Sequence, residues 1–226
     1  MELALNISGL NKSIGKKQIL NDVNMQVDFG EAMGLIGANG AGKSSLLKCI
    51  ARLWHGDTGK ITVCEKDVKK NFKAAMQYSG FLIEYPKMYG ELTAIQNLKY
   101  ISSYCNMKIS DTDIENKLNL VGLNKSKEKK INTYSSGMYQ RACIASLLMR
   151  NPKLLILDEP TAMLDPKSIV ELRNILNSIK KNYNVSMLIS SHNLHEVERM
   201  FLANRYISIF TFLLLLLQSR SLFLTF

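Results

Sequence analysis

The sequence predicts an α/β protein with a buried parallel sheet, on two observations. Short apolar runs occupy residues 32–36, 154–157 and 185–189, which is the length and composition of strands covered on both faces. Segments of helical composition, such as residues 45–53 and 166–181, lie between these runs. Strands that alternate with helices along the chain favour a parallel sheet with helices packed on it.

A glycine-rich segment, residues 37–44, follows the first run and fits the pattern G-x-x-x-x-G-K-[ST]. Its glycines let the backbone fold around phosphates, so that N–H groups at a helix N-terminus point at the anion. Lys43 then reaches the β- and γ-phosphates, and Ser44 offers a hydroxyl to Mg²⁺. The motif predicts a P-loop NTPase, although alone it also fits a glycine turn before a helix. The predicted nucleotide-binding residues of this segment are Gly37, Asn39, Gly40, Gly42, Lys43, Ser44 and Ser45.

Two acidic residues, Asp158 and Glu159, follow the apolar run of residues 154–157. At the carboxyl edge of a parallel sheet, beside the phosphate loop, Asp158 can hold Mg²⁺ through water. Glu159 can polarise the water that attacks the γ-phosphate. Alone, the pair also fits an acidic helix cap after a strand. The phosphate loop earlier in the chain favours the metal-binding interpretation.

Three further segments resemble the ATP-binding cassette family. Residues 134–138 keep Ser135 and Gly137 of the family signature L-S-G-G-Q and depart from it at the other three positions. The segments around Asp165 and His192 resemble the family's D-loop and switch histidine, in the expected order and spacing. Without the resemblance, Ser135 would be interpreted as a helix N-cap and His192 as a polar residue at a strand end.

The resemblance covers about residues 2–210 and implies one nucleotide-binding domain, with a RecA-like core, an antiparallel β-subdomain and a helical signature subdomain. It implies two ATP molecules between facing domains, in a homodimer or in a pair with a second ATPase. Ser135 and Gly137 would then cap the γ-phosphate across the interface, while His192 contacts it in the same chain and Asp165 links the two sites. The implied partners are membrane permease subunits at the cytoplasmic face of the cell membrane.

The remaining pattern agrees with this architecture. Residues 2–30 alternate apolar and polar positions, as antiparallel strands do, and a similar strand is expected near residues 59–63. Helices are expected over residues 92–107, 111–121 and 143–149, the second begun by Ser110 or Asp111 and ended by Gly122. Residues 204–210 resemble the last strand of the core.

Two positions depart from the family pattern. In many members of the family, the strand after the β-subdomain is followed by a glutamine whose side chain contacts the metal. In this sequence the corresponding residue is Glu84. A carboxylate still ligates Mg²⁺ but adds negative charge beside ATP. Gln77 is the alternative candidate for the residue that contacts the metal. Ile14 stands where the family often has an aromatic residue against adenine, so it offers only an apolar platform.

Composition narrows the classes of function. The 226 residues suit one domain, and the net charge of +10 suits an anionic membrane surface and ATP. Nucleic acid is an unlikely partner, because only Phe72 accompanies a lysine cluster. The four dispersed cysteines predict separate buried thiols, with no disulfide and no structural zinc. The N-terminus shows no signal-peptide pattern.

Residues 211–226 differ abruptly in composition and are expected to form an atypical apolar tail outside the domain of residues 1–210. Its apolar run of about a dozen residues is shorter than the roughly 20 that span a bilayer. A frame-shifted C-terminus, a buried strand extension and a partner contact all stay open.

Together these features predict the ATP-hydrolysing subunit of a membrane exporter. Two features of this chain resemble the ATPase subunits of exporters that protect bacteria from lantibiotics and similar peptides. These features are Glu84 and the Ser-x-Gly-Met-x-Gln-Arg form of the signature. A general drug or lipid exporter is the alternative. A cassette acting on nucleic acid is more remote, since the chain lacks a coiled-coil insertion and a second cassette.

Overall fold

The computed structural model describes residues 2–84, 88–194, 199 and 205–208, and in that part of the chain it contains two sheets. The first is the predicted antiparallel one. Its strands lie in the order β2-β1-β4-β5, and β1 pairs with both β2 and β4. These strands are β1 (Leu3–Ile14), β2 (Lys17–Asp28), β4 (Thr58–Val63) and β5 (Lys66–Asp67).

The second sheet has five strands, and every pair in it is parallel. Its strands are β3 (Ala32–Ile36), β6 (Ser79–Leu82), β7 (Leu154–Leu157), β8 (Ser186–Ser191) and β9 (Arg205–Ser208), in the order β6-β7-β8-β3-β9. Strands β3 and β7 coincide with the predicted apolar runs. This sheet is the predicted RecA-like core, because its parallel strands are joined by helices.

Six α-helices lie in the described part of the chain, together with 3₁₀ turns at Asn124–Ser126 and Ile131–Thr133. Helices α3 and α4 form the predicted helical subdomain, and each begins with a capping box, from Thr93 to Gln96 and from Ser110 to Asp113. The helices are α1 (Lys43–Ile50), α2 (Phe72–Gln77), α3 (Ala94–Tyr104), α4 (Asp111–Leu120), α5 (Ser136–Leu148) and α6 (Pro166–Tyr183).

The parallel sheet separates two hydrophobic cores, and β7 contributes to both. Leu155 and Leu157 pack with α3 to α6, whereas Leu154 and Ile156 pack with α1 and the antiparallel sheet. Successive side chains of a strand point to opposite faces, so a strand covered on both sides is apolar throughout. All four side chains of β7 are fully buried.

Some boundaries differ from the sequence-based expectation. Helix α5 begins at Ser136, seven residues before the segment interpreted as helical, and β8 continues beyond Ile189 to Ser191. Helix α2 and the two-residue β5 were not predicted. Of the expected last strand, residues 205–208 are observed; the tail of residues 211–226 lies outside the described residues.

Cysteine burial was predicted correctly at two of four positions. Cys49 and Cys143 are buried, whereas Cys64 and Cys105 are only partly buried. Burial raises the pKa of the Cys143 thiol to about 12. Among the residues that the structure describes, no helix combines the length and the hydrophobicity needed to cross a bilayer.

Helices α5 and α6 approach closely where Gly137 faces Ser168. A Cβ atom on Gly137 would lie 2.7 Å from the Cβ of Ser168, a separation that real side chains avoid. Ser168 is itself fixed, because its Oγ donates to Asp165 Oδ2 at 2.6 Å. The missing side chain of Gly137 therefore has a packing reason within this chain.

We predict that Gly137→Ala lowers the free energy of unfolding by about 1–2 kcal/mol. Overpacking costs about 1–3 kcal/mol, and the better helix propensity of alanine offsets up to about 1 kcal/mol. Thermal unfolding measures the change. Ser136→Ala is the control, since Ser136 is exposed in the same turn and its loss should matter by less than about 0.5 kcal/mol. Equal stability of Gly137→Ala and wild type would contradict the close approach.

Candidate active site

The carboxyl ends of four parallel strands bring the predicted chemical groups to one edge of the sheet. The phosphate loop follows β3, Asp158 and Glu159 follow β7, His192 follows β8, and Glu84 lies two residues after β6. Because adjacent parallel strands run in the same direction, residues distant in sequence meet there. The sheet order places β7, which carries the two acids, between β6 and β8.

The phosphate loop has the backbone conformation that its glycines permit. Gly40 and Gly42 have φ values of 82° and 98°, which side chains rarely allow. Gly42 is the N-cap of α1, and a Cβ there would lie 3.2 Å from the carbonyl oxygen of Ile19. The loop is thus held against β2 and opens the helix whose first N–H groups can receive an anion.

Lys43 is the buried cation of this loop, with only 6% of its side chain exposed. Its ammonium donates to the carbonyl oxygens of Gly37 at 2.6 Å and Ala38 at 3.3 Å. The same Nζ lies 3.2 Å from Glu159 Oε1. That carboxylate oxygen is buried and has no hydrogen bond of good geometry, so it makes the ion pair through charge alone.

Glu159 also contacts the predicted switch histidine. Its Oε2 lies 2.9 Å from Nδ1 of His192, whose side chain is 56% exposed. Glu159 has a φ of 45°, a left-handed conformation that a glutamate adopts at a cost. The carboxylate therefore bridges Lys43 and His192, and so joins the ends of β3, β7 and β8.

Asp158 is fixed by different partners. Its Oδ1 accepts from the hydroxyl of Ser190 at 2.5 Å, and its backbone N–H donates to the carbonyl oxygen of Leu82 at 2.8 Å. Ser190 Oγ in turn accepts from the backbone N–H of Glu159 at 2.8 Å. One buried hydroxyl of β8 thus orients both acidic residues of β7.

A cavity of about 240 Å³ lies beside these groups. Its lining includes all three predicted metal-binding residues, Ser44, Asp158 and Glu84, together with Glu159. Gln77, the alternative to Glu84, is the last residue of α2, precedes the amino end of β6 and does not line the cavity. The other lining residues are Lys48, Leu82, Gln140 and Ala162.

The donor set of this cavity fits Mg²⁺ held jointly with phosphate. Within the described residues, no three His, Cys, Asp or Glu side chains are arranged as a complete metal cage. Mg²⁺ does not require one, because it usually takes one or two carboxylates, several waters and oxygens of a bound phosphate. The hydroxyl of Ser44 and the carboxylate of Asp158 supply suitable oxygen ligands on the cavity wall.

Of the predicted nucleotide-binding residues, only Ser44 lines this cavity, and four of the others lie outside the phosphate loop: Ser135, Gly137, Asp165 and Ile14. Ser135 is exposed and caps α5 by accepting from the N–H of Met138 at 3.3 Å. Ile14 is half exposed at the end of the β1–β2 hairpin. The trans arrangement expected for Ser135 and Gly137 stays a prediction.

Asp165 caps α6 and accepts from the backbone N–H groups of Lys167 and Ser168, both at 3.0 Å. Hydrogen bonds, first from the Ser168 hydroxyl and then from the Ser168 backbone, hold the pKa of Asp165 below its usual value. The residue therefore stays ionised through the neutral range.

Sequence reasoning missed three polar residues of the site: Lys48, Gln140 and Ser190. Lys48 had a signal, because it lies four residues after Ser44 and hence on the same face of α1. Gln140 belongs to the signature form noted above, but that form did not place it in this cavity, and Ser190 had no signal in isolation. Both are buried polar side chains whose role depends on which elements pack beside them.

Comparisons with known proteins agree with this geometry. The family model described as ABC transporter matches residues 20–162. The bacitracin transport ATP-binding protein BcrA of Enterococcus faecalis is 36% identical over 199 residues, which are 88% of this chain and 64% of the relative. The lantibiotic transport ATP-binding protein SrtF of Streptococcus pyogenes is 40% identical over 196 residues, 87% of this chain and 83% of the relative.

Among solved structures, that of cbiO1 from Clostridium perfringens, described as part of the ABC transporter complex cbiONQ, matches with a TM-score of 0.79 and 26% identity. The match covers 89% of this chain and 83% of the other. The chain thus spans less than two thirds of the enterococcal relative but most of the other two. On the family model, the relatives and the fold, the chain belongs to the ABC transporter family.

Proposed function

We propose that this chain binds and hydrolyses ATP as the ATPase subunit of a membrane exporter. The observation that carries the proposal is the convergence at Glu159, which contacts both Lys43 of the phosphate loop and His192 of the neighbouring strand end. A carboxylate held between a phosphate-binding lysine and a histidine is suited to receive a proton from an attacking water.

Each group at the sheet edge has a distinct role in this proposal. The N–H groups of the phosphate loop and Lys43 bind the phosphates, and Glu159 acts as general base. His192 orients Glu159 and contacts the γ-phosphate. Ser44, Asp158 and Glu84 would supply oxygen ligands to Mg²⁺, which would neutralise negative charge on the phosphates.

The cargo is proposed from the relatives and from Glu84. The names of two relatives, at 36% and 40% identity, refer to transport of bacitracin and of a lantibiotic. Glu84 lines the cavity at the position where many cassettes carry glutamine. Together these observations support an exporter that protects its host against a lantibiotic or similar peptide antibiotic.

The partners and location follow from the same assignment. We infer that membrane permease subunits bind this chain at the cytoplasmic face of the membrane. Two cassettes, either identical or paired with a second ATPase, would complete each ATP site. The solved relative cbiO1 is described as part of a transporter complex, which supports such an assembly.

The first prediction concerns the general base. Glu159→Gln keeps the size of the side chain but removes its basicity, so hydrolysis should slow by roughly 100-fold or more. Binding of ATP should persist. Phosphate release by the purified variant measures the effect, with Glu115→Gln, an exposed glutamate paired with Lys127, as the control. Near wild-type turnover in Glu159→Gln would exclude Glu159 as the base.

The second prediction concerns trans action of the signature. Ser135→Arg should abolish hydrolysis but leave ATP binding to the monomer, whereas Lys43→Ala should weaken binding itself. A heterodimer of the two variants contains one composite site free of both changes. Mixing should therefore restore up to about half of the wild-type turnover per heterodimer.

Thermal unfolding must show that Ser135→Arg is folded, because Ser135 is also the N-cap of α5. Loss of such a cap lowers the free energy of unfolding by about 1 kcal/mol. Cross-linking or mass spectrometry must show that heterodimers form. If heterodimers form and remain inactive at every mixing ratio, the signature does not act across the interface.

The third prediction concerns coupling through Glu84. Glu84→Gln keeps an acceptor oxygen and removes one charge, so ATP affinity should change less than about twofold. In cells that carry the complete exporter, resistance to its peptide should fall while the protein stays abundant and hydrolyses ATP. Glu84→Ala should reduce resistance further, because it also loses the oxygen ligand. Full resistance with both variants would make Glu84 a bystander.

A further inference from the structure

Among the residues that the structure describes, Lys48 forms an ion pair with Glu84. Its Nζ lies 2.6 Å from Glu84 Oε1, and both residues line the 240 Å³ cavity with Ser44 and Asp158. The side chain of Lys48 is 20% exposed, whereas that of Glu84 is 72% exposed. The lysine is therefore the anchored member of the pair, and the glutamate is the member that reaches into solvent.

A second contact fixes the lysine. Its Nζ lies 4.9 Å from the ring centroid of Trp54, within the range of a cation–π interaction. Lys48 belongs to α1, the helix that the phosphate loop opens, and Trp54 lies in the turn after that helix. The backbone N–H of Trp54 donates to the carbonyl oxygen of Lys48 at 3.1 Å, so the turn is attached to the helix at the lysine itself.

The charges around the cavity explain why such an anchor matters. Glu84, Asp158 and Glu159 all line the cavity, and each has a different partner. Asp158 accepts from Ser190, Glu159 pairs with Lys43, and Glu84 pairs with Lys48. A nucleoside triphosphate is itself an anion, so an unpaired third carboxylate at the wall of the cavity would repel it.

Glu84 also has a backbone conformation that needs support. Its φ is 62°, a left-handed value that a glutamate adopts at a cost in free energy. An ion pair at 2.6 Å to an anchored lysine gives the side chain a defined direction at the cavity mouth. A neutral amide at position 84 would carry no charge to be balanced.

We propose that Lys48 is a positioning residue that balances the charge of Glu84 and holds it at the wall of the nucleotide cavity. This inference rests on the proposed function, because it takes the ligand of the cavity to be a nucleoside triphosphate with Mg²⁺. It assigns to α1 a role beyond the phosphate loop. It also means that the orientation of the Glu84 side chain and the balance of its charge depend on Lys48.

The test is a double-mutant cycle on binding, which needs no hydrolysis. Isothermal titration calorimetry with Mg²⁺ and adenylyl imidodiphosphate should show Kd raised about twofold to fivefold in Lys48→Met, the range of partly exposed ion pairs. Lys48→Arg should bind like wild type, because it keeps the charge. Lys48→Met with Glu84→Gln should bind like Glu84→Gln alone, since position 84 then carries no charge that Lys48 could balance.

Trp54, the single tryptophan of the chain, gives a readout that needs no nucleotide. Glu84→Gln should change its emission, because the substitution releases Lys48 from one of its two contacts. In the Lys48→Met background, Glu84→Gln should add no further change. Glu91→Gln is the matched control, an exposed glutamate paired with Lys130 at 3.0 Å, and should leave the emission unaltered.

The outcomes are separable. If Lys48→Met binds weakly and Glu84→Gln does not rescue it, Lys48 acts on the nucleotide directly and the proposal is wrong. If neither Kd nor emission responds to Lys48→Met, the pair has no influence and the proposal is also wrong. If the wild-type protein does not bind the nucleotide at all, the proposed function fails, and the emission cycle alone decides whether Lys48 positions Glu84.

Discussion

The site depends on one carboxylate, Glu159, that joins three strand ends. Its two oxygens lie 3.2 Å from the ammonium of Lys43 and 2.9 Å from Nδ1 of His192. Each of these residues follows a different strand of the parallel sheet, so their meeting requires the strand order and register of the whole core. A shift of one residue in β7 would turn its acidic end away from the phosphate loop.

Burial strengthens the ion pair between Lys43 and Glu159. Lys43 is almost fully enclosed, and the interior weakens the solvent screening that would otherwise reduce its attraction to Glu159. The lysine is satisfied by two backbone carbonyls as well as by the carboxylate, and Asp158 is satisfied by Ser190. A polar site of this kind is stable because nearly every buried group has a partner.

The sequence was most informative where the local pattern has a single structural solution. Strands β3 and β7 coincide with predicted runs, since a strand buried on both faces is apolar at every position. Helix α5 was predicted to begin too late, because Ser135 was considered as part of a motif although it is also an N-cap. Strand β8 extends to Ser191 because its backbone stays paired with Leu35 and Ile36 of β3. Its buried Ser190 has a tertiary partner, Asp158, that no local pattern reveals.

The sequence did not predict which side chains of the site pair with one another. The phosphate loop, Asp158, Glu159 and Glu84 were identified from motif and resemblance, and the fold brings all of them to one cavity or its edge. The partner of Glu84 was not identified, although Lys48 lies one helical turn after Ser44. Whether two side chains of opposite charge meet depends on how the fold places α1 relative to the residues after β6, which lies beyond the range of any sequence motif.

The central claim is that a nucleoside triphosphate binds at the sheet edge with its γ-phosphate beside Glu159. An experimental structure of the wild-type chain with Mg²⁺ and a nonhydrolysable ATP analogue tests it most directly. The account predicts phosphates along the loop of residues 37–44, a metal contacting Ser44, and Glu159 within reach of the γ-phosphate through one water. A nucleotide bound elsewhere, or a γ-phosphate with Glu159 turned away from it, would contradict the account.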